Sequence, residues 1–220
     1  MAKGGKPLFE LVDCVFDLSY PGGAVNMALG RGEMGFLRRP PISFQLLGID
    51  PLKSGEIRVR GNNWDSMSVT ELEDTRMTIS GIFDPITRLT GQWISNLDID
   101  ENVYLCPAFE ANRRYSEIMS HADDLAKKFG LEKGLPKVRP IKARPEDLVR
   151  AQWVRAMLPT RVNVMLLENP LEFAPEESIE SFIRELRKIR ENGTAILWIS
   201  RTTPPFERLG LKPDILWEDW

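Results

Sequence analysis

The chain has one histidine, His121, and two cysteines, Cys14 and Cys106, in 220 residues. A single imidazole nearly excludes His-based metal sites and catalytic triads. The cysteines form no CxxC pair and lie in apolar surroundings, so they read as reduced core residues of a cytosolic protein. No apolar run approaches the ~18 residues a membrane span needs, and the N-terminus lacks a signal-peptide h-region. Any tie to a membrane then runs through a partner. Basic excess is missing too: a net charge of -3 gives no electrostatic reason to expect nucleic acid. There is no internal repeat and no low-complexity segment. What remains is an ordinary globular composition, 42% hydrophobic and 28% charged, in a length that suits one α/β domain, with or without a small subdomain.

The chain is organised around residues 162–170, an apolar run that ends in Glu168-Asn169-Pro170. A run this short and rich in Val, Leu and Met predicts a strand buried on both faces. Polar groups at the end of such a strand stand where α/β proteins keep their ligand chemistry. Before it, alternation predicts strands over 8–16, 25–29 and 34–37, which suggest an antiparallel layer. Pro40 or Pro41 can open a short helix over 42–48. Further strands are predicted over 56–61 and 77–83, with a polar connection at 71–76. Residues 84–107 lack a clear period until 102–105. Helices follow near 110–129 and 145–158, then one carrying Ile179, Phe182, Ile183, Leu186 and Ile189 on one face. Strands at 194–199 and 214–217 complete the series. Helix and strand alternate in the second half, as in a mainly parallel sheet with crossover helices.

In order and spacing these features resemble the nucleotide-binding domain of ABC transporters over nearly the whole chain. Tyr20-Pro21-Gly22-Gly23 resembles the turn after the adenine-stacking strand, and Gly32-Glu33 the pair before the Walker A strand. Residues 44–61 resemble the helix, loop and strand that follow a P-loop. Gly81-Ile82-Phe83-Asp84 resembles the Q-loop strand, residues 154–158 the end of the signature helix, and 164–170 Walker B. Leu97 to Val103 is similar to the matching segment in cassettes of bacterial lipid transporters with MCE-type partners. The resemblance implies one P-loop NTPase-like α/β domain over 1–220, with an antiparallel β layer, a mainly parallel core sheet and a helical subdomain inserted at about 108–158. It also implies a peripheral place on the cytoplasmic face of the inner membrane, under a permease and beside a second cassette. The docking segment of the family falls on Leu89, Trp93 and Ile94. Trp93-Ile94 reads either as an exposed anchor or as core.

Every motif that carries the family's chemistry departs from its pattern. A P-loop needs G-x-x-x-x-G-K-[ST], whose backbone N–H groups cradle phosphates. The segment from Gly35 to Pro41 is too short for that by about six residues. Arg38 and Arg39 stand near the Lys position, and Pro40-Pro41 near the Ser/Thr, where proline has no N–H to donate. Asp84 replaces the Q-loop Gln. Arg144, Pro145, Glu146 and Asp147 fall on the glycine-bearing signature, putting carboxylates where a γ-phosphate would approach. Glu168 stands for the Walker B Asp and Asn169 for the Glu that polarises water; an amide is no general base. Arg201 takes the switch-histidine position.

The expectation is therefore a non-catalytic cassette that needs no cofactor and scaffolds a transporter. Two alternatives stand beside it: a divergent, active ATPase using ATP and magnesium, and a stand-alone interaction protein of the same fold. Glu168 reads as a residual metal ligand or, preferably, as a strand-end carboxylate bonded to nearby backbone. Arg38, Arg39 and Arg201 either bind an anion or pair with Glu168, Asp84 or Glu172. His121 is expected to be solvated.

Overall fold

The computed structural model describes residues 6–16, 23–88, 91–110 and 113–218. They divide into two compact units. One comprises residues up to 81, 161–168 and 188 onward; the other comprises 82–160 and 169–187.

The first unit holds two sheets. Strands β1 (Phe9–Val15), β2 (Val25–Leu29), β4 (Ser54–Val59) and β5 (Asn62–Asn63) form an antiparallel sheet in the order β2-β1-β4-β5. A second, five-stranded sheet runs β6-β7-β8-β3-β9, from β3 (Met34–Arg38), β6 (Ile79–Ile82), β7 (Val164–Glu168), β8 (Ala195–Ser200) and β9 (Ile215–Trp217). Here one expectation is corrected. The third strand does not join the antiparallel layer; β3 pairs in parallel with both β8 and β9. Its residues Met34 to Leu37 are all buried, the pattern of a central strand and not of a half-exposed edge. Gly35 is needed for this fit, since a Cβ there would lie 2.8 Å from the Met27 sulfur.

The core of this unit lies between the sheets. Phe9, Leu11, Met27, Ile57 and Val59 from the antiparallel layer meet Leu37, Leu166, Leu197 and Ile199 from the parallel one. Strand β7 is buried at all five positions, as the apolar run predicts. A short helix α1 (Ser43–Leu46) follows β3, and Trp64 closes the core behind it by donating its indole N–H to the Leu46 carbonyl at 3.1 Å. Residues 71–76, expected as a connection, belong to helix α2 (Val69–Arg76). Its warrant is a capping box: Ser68 accepts from the Glu71 N–H, and the Glu71 carboxylate returns to the Ser68 N–H.

The second unit is helical. It contains α3 (Pro85–Arg88), α4 (Ile99–Ala108), α5 (Tyr115–Lys128), α6 (Pro145–Met157) and most of α7 (Glu176–Glu191). Helix α4 was hidden from periodicity, but it too has a capping box, Asp98 with Glu101. The unit is broader than the insertion expected at about 108–158, because it also takes in 82–107 and 169–187. Its centre is aromatic. Trp153 stacks on Phe182 with centroids 4.5 Å apart, and Phe129 meets Trp153 edge-on at 5.5 Å. The Trp153 indole N–H donates to the Pro170 carbonyl at 2.8 Å, so the ring is satisfied while buried.

Candidate functional site

The end of β7 fixes Glu168. The side chain is 1% exposed, and its Oε1 accepts two backbone N–H groups, from Ile42 and from Ser43, each at 2.6 Å. Both donors belong to the first turn of α1, where a helix leaves its N–H groups without intrahelical partners. A buried carboxylate held by charge-assisted bonds to backbone is a satisfied group and not a free base. The reading of Glu168 as a strand-end carboxylate bonded to nearby backbone matches this geometry.

The connection from β3 to α1 is residues 39–42. Pro40 and Pro41 lie within it and supply no N–H. The Arg39 N–H donates to the Ser200 carbonyl at 3.0 Å, and its buried guanidinium reaches the Gly23 carbonyl at 3.3 Å. Burial lowers the Arg39 pKa from its ordinary value. The Arg38 guanidinium donates to the Glu218 carbonyl. Arg201 is exposed, and no ion pair involves it among the described residues. Tyr20-Pro21-Gly22 and Leu89 fall outside the described residues.

Asn169, the next residue after Glu168, has φ +42°, a left-handed conformation that Asn tolerates better than most side chains. Its amide donates to Asp84 Oδ1 at 2.8 Å. Asp84 is fully buried, and its other oxygen accepts from the Thr87 N–H at 3.1 Å and the Thr87 hydroxyl at 2.7 Å. The Asp84-Pro85-Ile86-Thr87 sequence explains this: an Asp N-cap, a proline at the first helical position, and a donor three residues after the aspartate. The Q-loop-like position is therefore a cap for α3.

The signature-like residues open α6. Arg144 is the N-cap residue and Pro145 the first helical one, with Glu146 and Asp147 in the first turn. Arg144 grips Asp147 through two bonds, at 2.8 and 3.1 Å, and lies 3.3 Å from Glu146. Those carboxylates raise the Arg144 pKa, Asp147 most of all. One turn on, Arg150 approaches Asp147 at 3.5 Å and reaches Glu177 at 3.1 Å and the Ser178 hydroxyl at 3.2 Å. Sequence reading missed this role of Arg150. The i,i+3 spacing from Asp147 was its one readable sign.

Of the residues expected to dock on a permease, Trp93 is 5% exposed and Ile94 is 45% exposed. Trp93 therefore belongs to the interior, not to an exposed anchor. The Arg155 guanidinium lies 4.3 Å from its ring centroid and donates to the Gln92 carbonyl and side-chain oxygens, each at 2.9 Å. Burial pushes the Arg155 pKa down to about 10. Among the described residues, no three His, Cys, Asp or Glu side chains are grouped to hold a metal, and no helix is long and apolar enough to cross a membrane.

These elements and their order define the class: the chain has the fold of an ABC transporter ATP-binding cassette. An ATP-binding subunit of an ABC transporter aligns over 92% of this chain and 82% of its own, with TM-score 0.73 and 18% identity. The dimeric bacterial cassette MJ0796 aligns over 88% of both chains, with TM-score 0.71 and 18% identity. In sequence, the chain is 26% identical over 152 residues to the macrolide export ATP-binding/permease protein MacB of Mannheimia succiniciproducens. That match covers 69% of this chain but only 23% of the relative's length. No protein-family model matches the chain.

Proposed function

We propose that this chain is a non-catalytic cassette subunit that scaffolds a membrane transporter, paired with a second cassette and docked on a permease. One observation carries the reading. The Glu168 carboxylate already occupies the Ile42 and Ser43 N–H groups, the first backbone donors after the shortened loop. A triphosphate brought to those donors meets a buried anion, two prolines and no lysine, and like charge there is repulsive. The candidate general base is an amide whose N–H is committed to Asp84. Nucleotide and magnesium do not fit these residues.

The partners follow from the fold's relatives. MJ0796 is described as dimeric, and MacB by its name joins an ATP-binding part to a permease. Exposed Ile86 and Ile94 give the second unit apolar surface for a permease contact. A lipid cargo follows from the resemblance of residues 97–103, and a peripheral place at the inner membrane from the resemblance of the whole chain to transporter cassettes.

The competing reading is a divergent ATPase with Glu168 as its only acid. Phosphate release by the purified chain, alone and reconstituted with a co-purifying permease and cassette, separates the two. We expect none from this chain. Release that disappears in Glu168→Gln overturns the proposal.

A further inference from the structure

The connection from α4 to α5 is fastened on both sides, and no role described above uses the fastening. Glu110 follows the last turn of α4, and Arg113 stands just before α5. Their side chains pair at 3.0 Å and are 8% and 11% exposed. Each also reaches the segment that ends α6. The Arg113 guanidinium donates to the Leu158 carbonyl at 2.8 Å. Glu110 accepts from the Thr160 N–H at 2.8 Å and from the Thr160 hydroxyl at 3.1 Å. Removing one member of such a pair leaves the other buried and unmatched. Phe109, 76% exposed, is the neighbour of Glu110 and is carried by this clasp.

The clasp has one further partner, His121 of α5. Its Nδ1 lies 3.0 Å from a terminal nitrogen of Arg113. A guanidinium has donors and no acceptor, and it keeps its charge at every pH a protein meets. The bond therefore needs Nδ1 to accept, which it does only in a neutral ring protonated at Nε2. A proton added to that ring goes to Nδ1, and two donors then face each other at 3.0 Å. The contact cannot survive the change. Charged groups act on the ring from three elements: Arg113 from the connection, Asp124 and Lys128 from α5, and Glu185 from α7. The two cations oppose its charged form, and the two carboxylates favour it. Lys128 lies 3.5 Å from Glu185, so a charged ring would share that carboxylate. His121 is the chain's one histidine, and no other side-chain type ordinarily titrates between pH 5 and 8.

We propose that His121 is a proton-sensing latch on this clasp. Neutral, it accepts from Arg113. Protonated, it leaves Arg113 for the carboxylates of Asp124 and Glu185, and the connection that carries Phe109 loosens. The inference does not rest on the scaffolding reading, since an active cassette would carry the same latch. It gives the chain a response to acidification of its own.

The test records nitrogen–proton correlation spectra of the intact chain between about pH 8 and about pH 5. We expect the Nε2–H tautomer at the alkaline end, and a ring midpoint below the ordinary value of about 6.5. The amides of Phe109, Glu110 and Thr160 should shift with the ring's midpoint. His121→Gln changes an exposed side chain and keeps an acceptor for Arg113. In that variant the three amides should stop titrating. Asp124→Asn, also at an exposed position, should lower the ring's midpoint, because the charged ring loses a carboxylate. An Nδ1–H tautomer near neutral pH removes the bond to Arg113 and overturns the proposal. So do three amides that stay still while the ring titrates, or that titrate equally in His121→Gln. A midpoint unchanged in both Asp124→Asn and Glu185→Gln overturns it as well, because the charged ring then has no carboxylate to move to.

Discussion

Two groups of carboxylates, at the end of β7 and at the start of α6, are held in opposite ways. At the end of β7, Glu168 is 1% exposed and satisfied by two backbone N–H groups. At the start of α6, Asp147 and Glu146 sit near the surface and are held by arginine side chains. The first arrangement is buried, so breaking it strands donors without water. In the second, Arg144 is exposed and its ion pairs are weak, while the buried Arg150 shares Asp147 with it. An anion can thus be held by backbone donors that have no other partner, or by arginine side chains that can repack around its loss.

That contrast can be broken by substitution. Glu168→Ala should have the largest effect, about 3 kcal/mol of lost stability in urea denaturation, because two buried N–H groups lose their acceptor. Glu168→Gln keeps an acceptor oxygen and should cost about half as much. A midpoint that stays level or rises in either variant would mean the carboxylate is strained, as catalytic groups often are, and the contrast would collapse. Asp84→Ala comes next, at about 2 kcal/mol, through loss of the α3 cap and of the Asn169 bond. In that variant, hydrogen exchange should rise first at Thr87.

Asp147→Asn should cost about 1 kcal/mol, because an amide still accepts from Arg144 and Arg150 but carries no charge, and 0.5 M salt should barely change the wild type, at roughly a 4 Å screening length. A loss as large as that of Glu168→Ala would move the α6 start into the same category as Glu168. The smallest effect is expected at His121. His121 is exposed, as expected, but partial burial of its ring, then Arg113 and Lys128, lower its pKa, and its Nδ1 lies 3.0 Å from an Arg113 nitrogen. The unfolded chain then holds the proton more tightly than the folded one. Stability should fall as the pH drops below about 6.5, and fall less in His121→Gln. Urea midpoints at pH 7.5 and 5.5 for both proteins give that difference directly.

How much of this was legible in residues alone varies with the kind of signal. The centre of the fold was readable because Val164 to Leu167 and Ala195 to Ile199 are continuous apolar runs, and these can only be buried strands or helices. The amphipathic stripe of α7 was equally plain. The placement of β3 was not, because antiparallel and parallel partners favour the same short apolar segment, and only long-range pairing with β8 and β9 decides. Helices α2 and α4 carry few apolar repeats. Their signal is the Ser68–Glu71 and Asp98–Glu101 capping boxes, which report ends rather than faces.

At the site, the short connection from β3 to α1 was readable, as were the N–H groups missing at Pro40 and Pro41. What the neighbouring N–H groups bond to was not readable. Glu168 is bonded to backbone, and backbone donors have no residue type to search for. The Asp84 cap was open to recognition as Asp-Pro-x-Thr, yet its bond to Asn169 spans 85 residues of sequence. Trp93 shows the limit in the other direction. An aromatic residue in a docking segment suits an anchor and a core equally well, and its stacking with Arg155 decides for the core.

The proposal that the Glu168 carboxylate, by holding the Ile42 and Ser43 N–H groups, leaves this chain unable to take a nucleotide is decided by calorimetric titration of the intact chain with ATP and magnesium. We expect no binding heat up to millimolar nucleotide, with or without the metal. Magnesium-dependent binding at micromolar affinity overturns it.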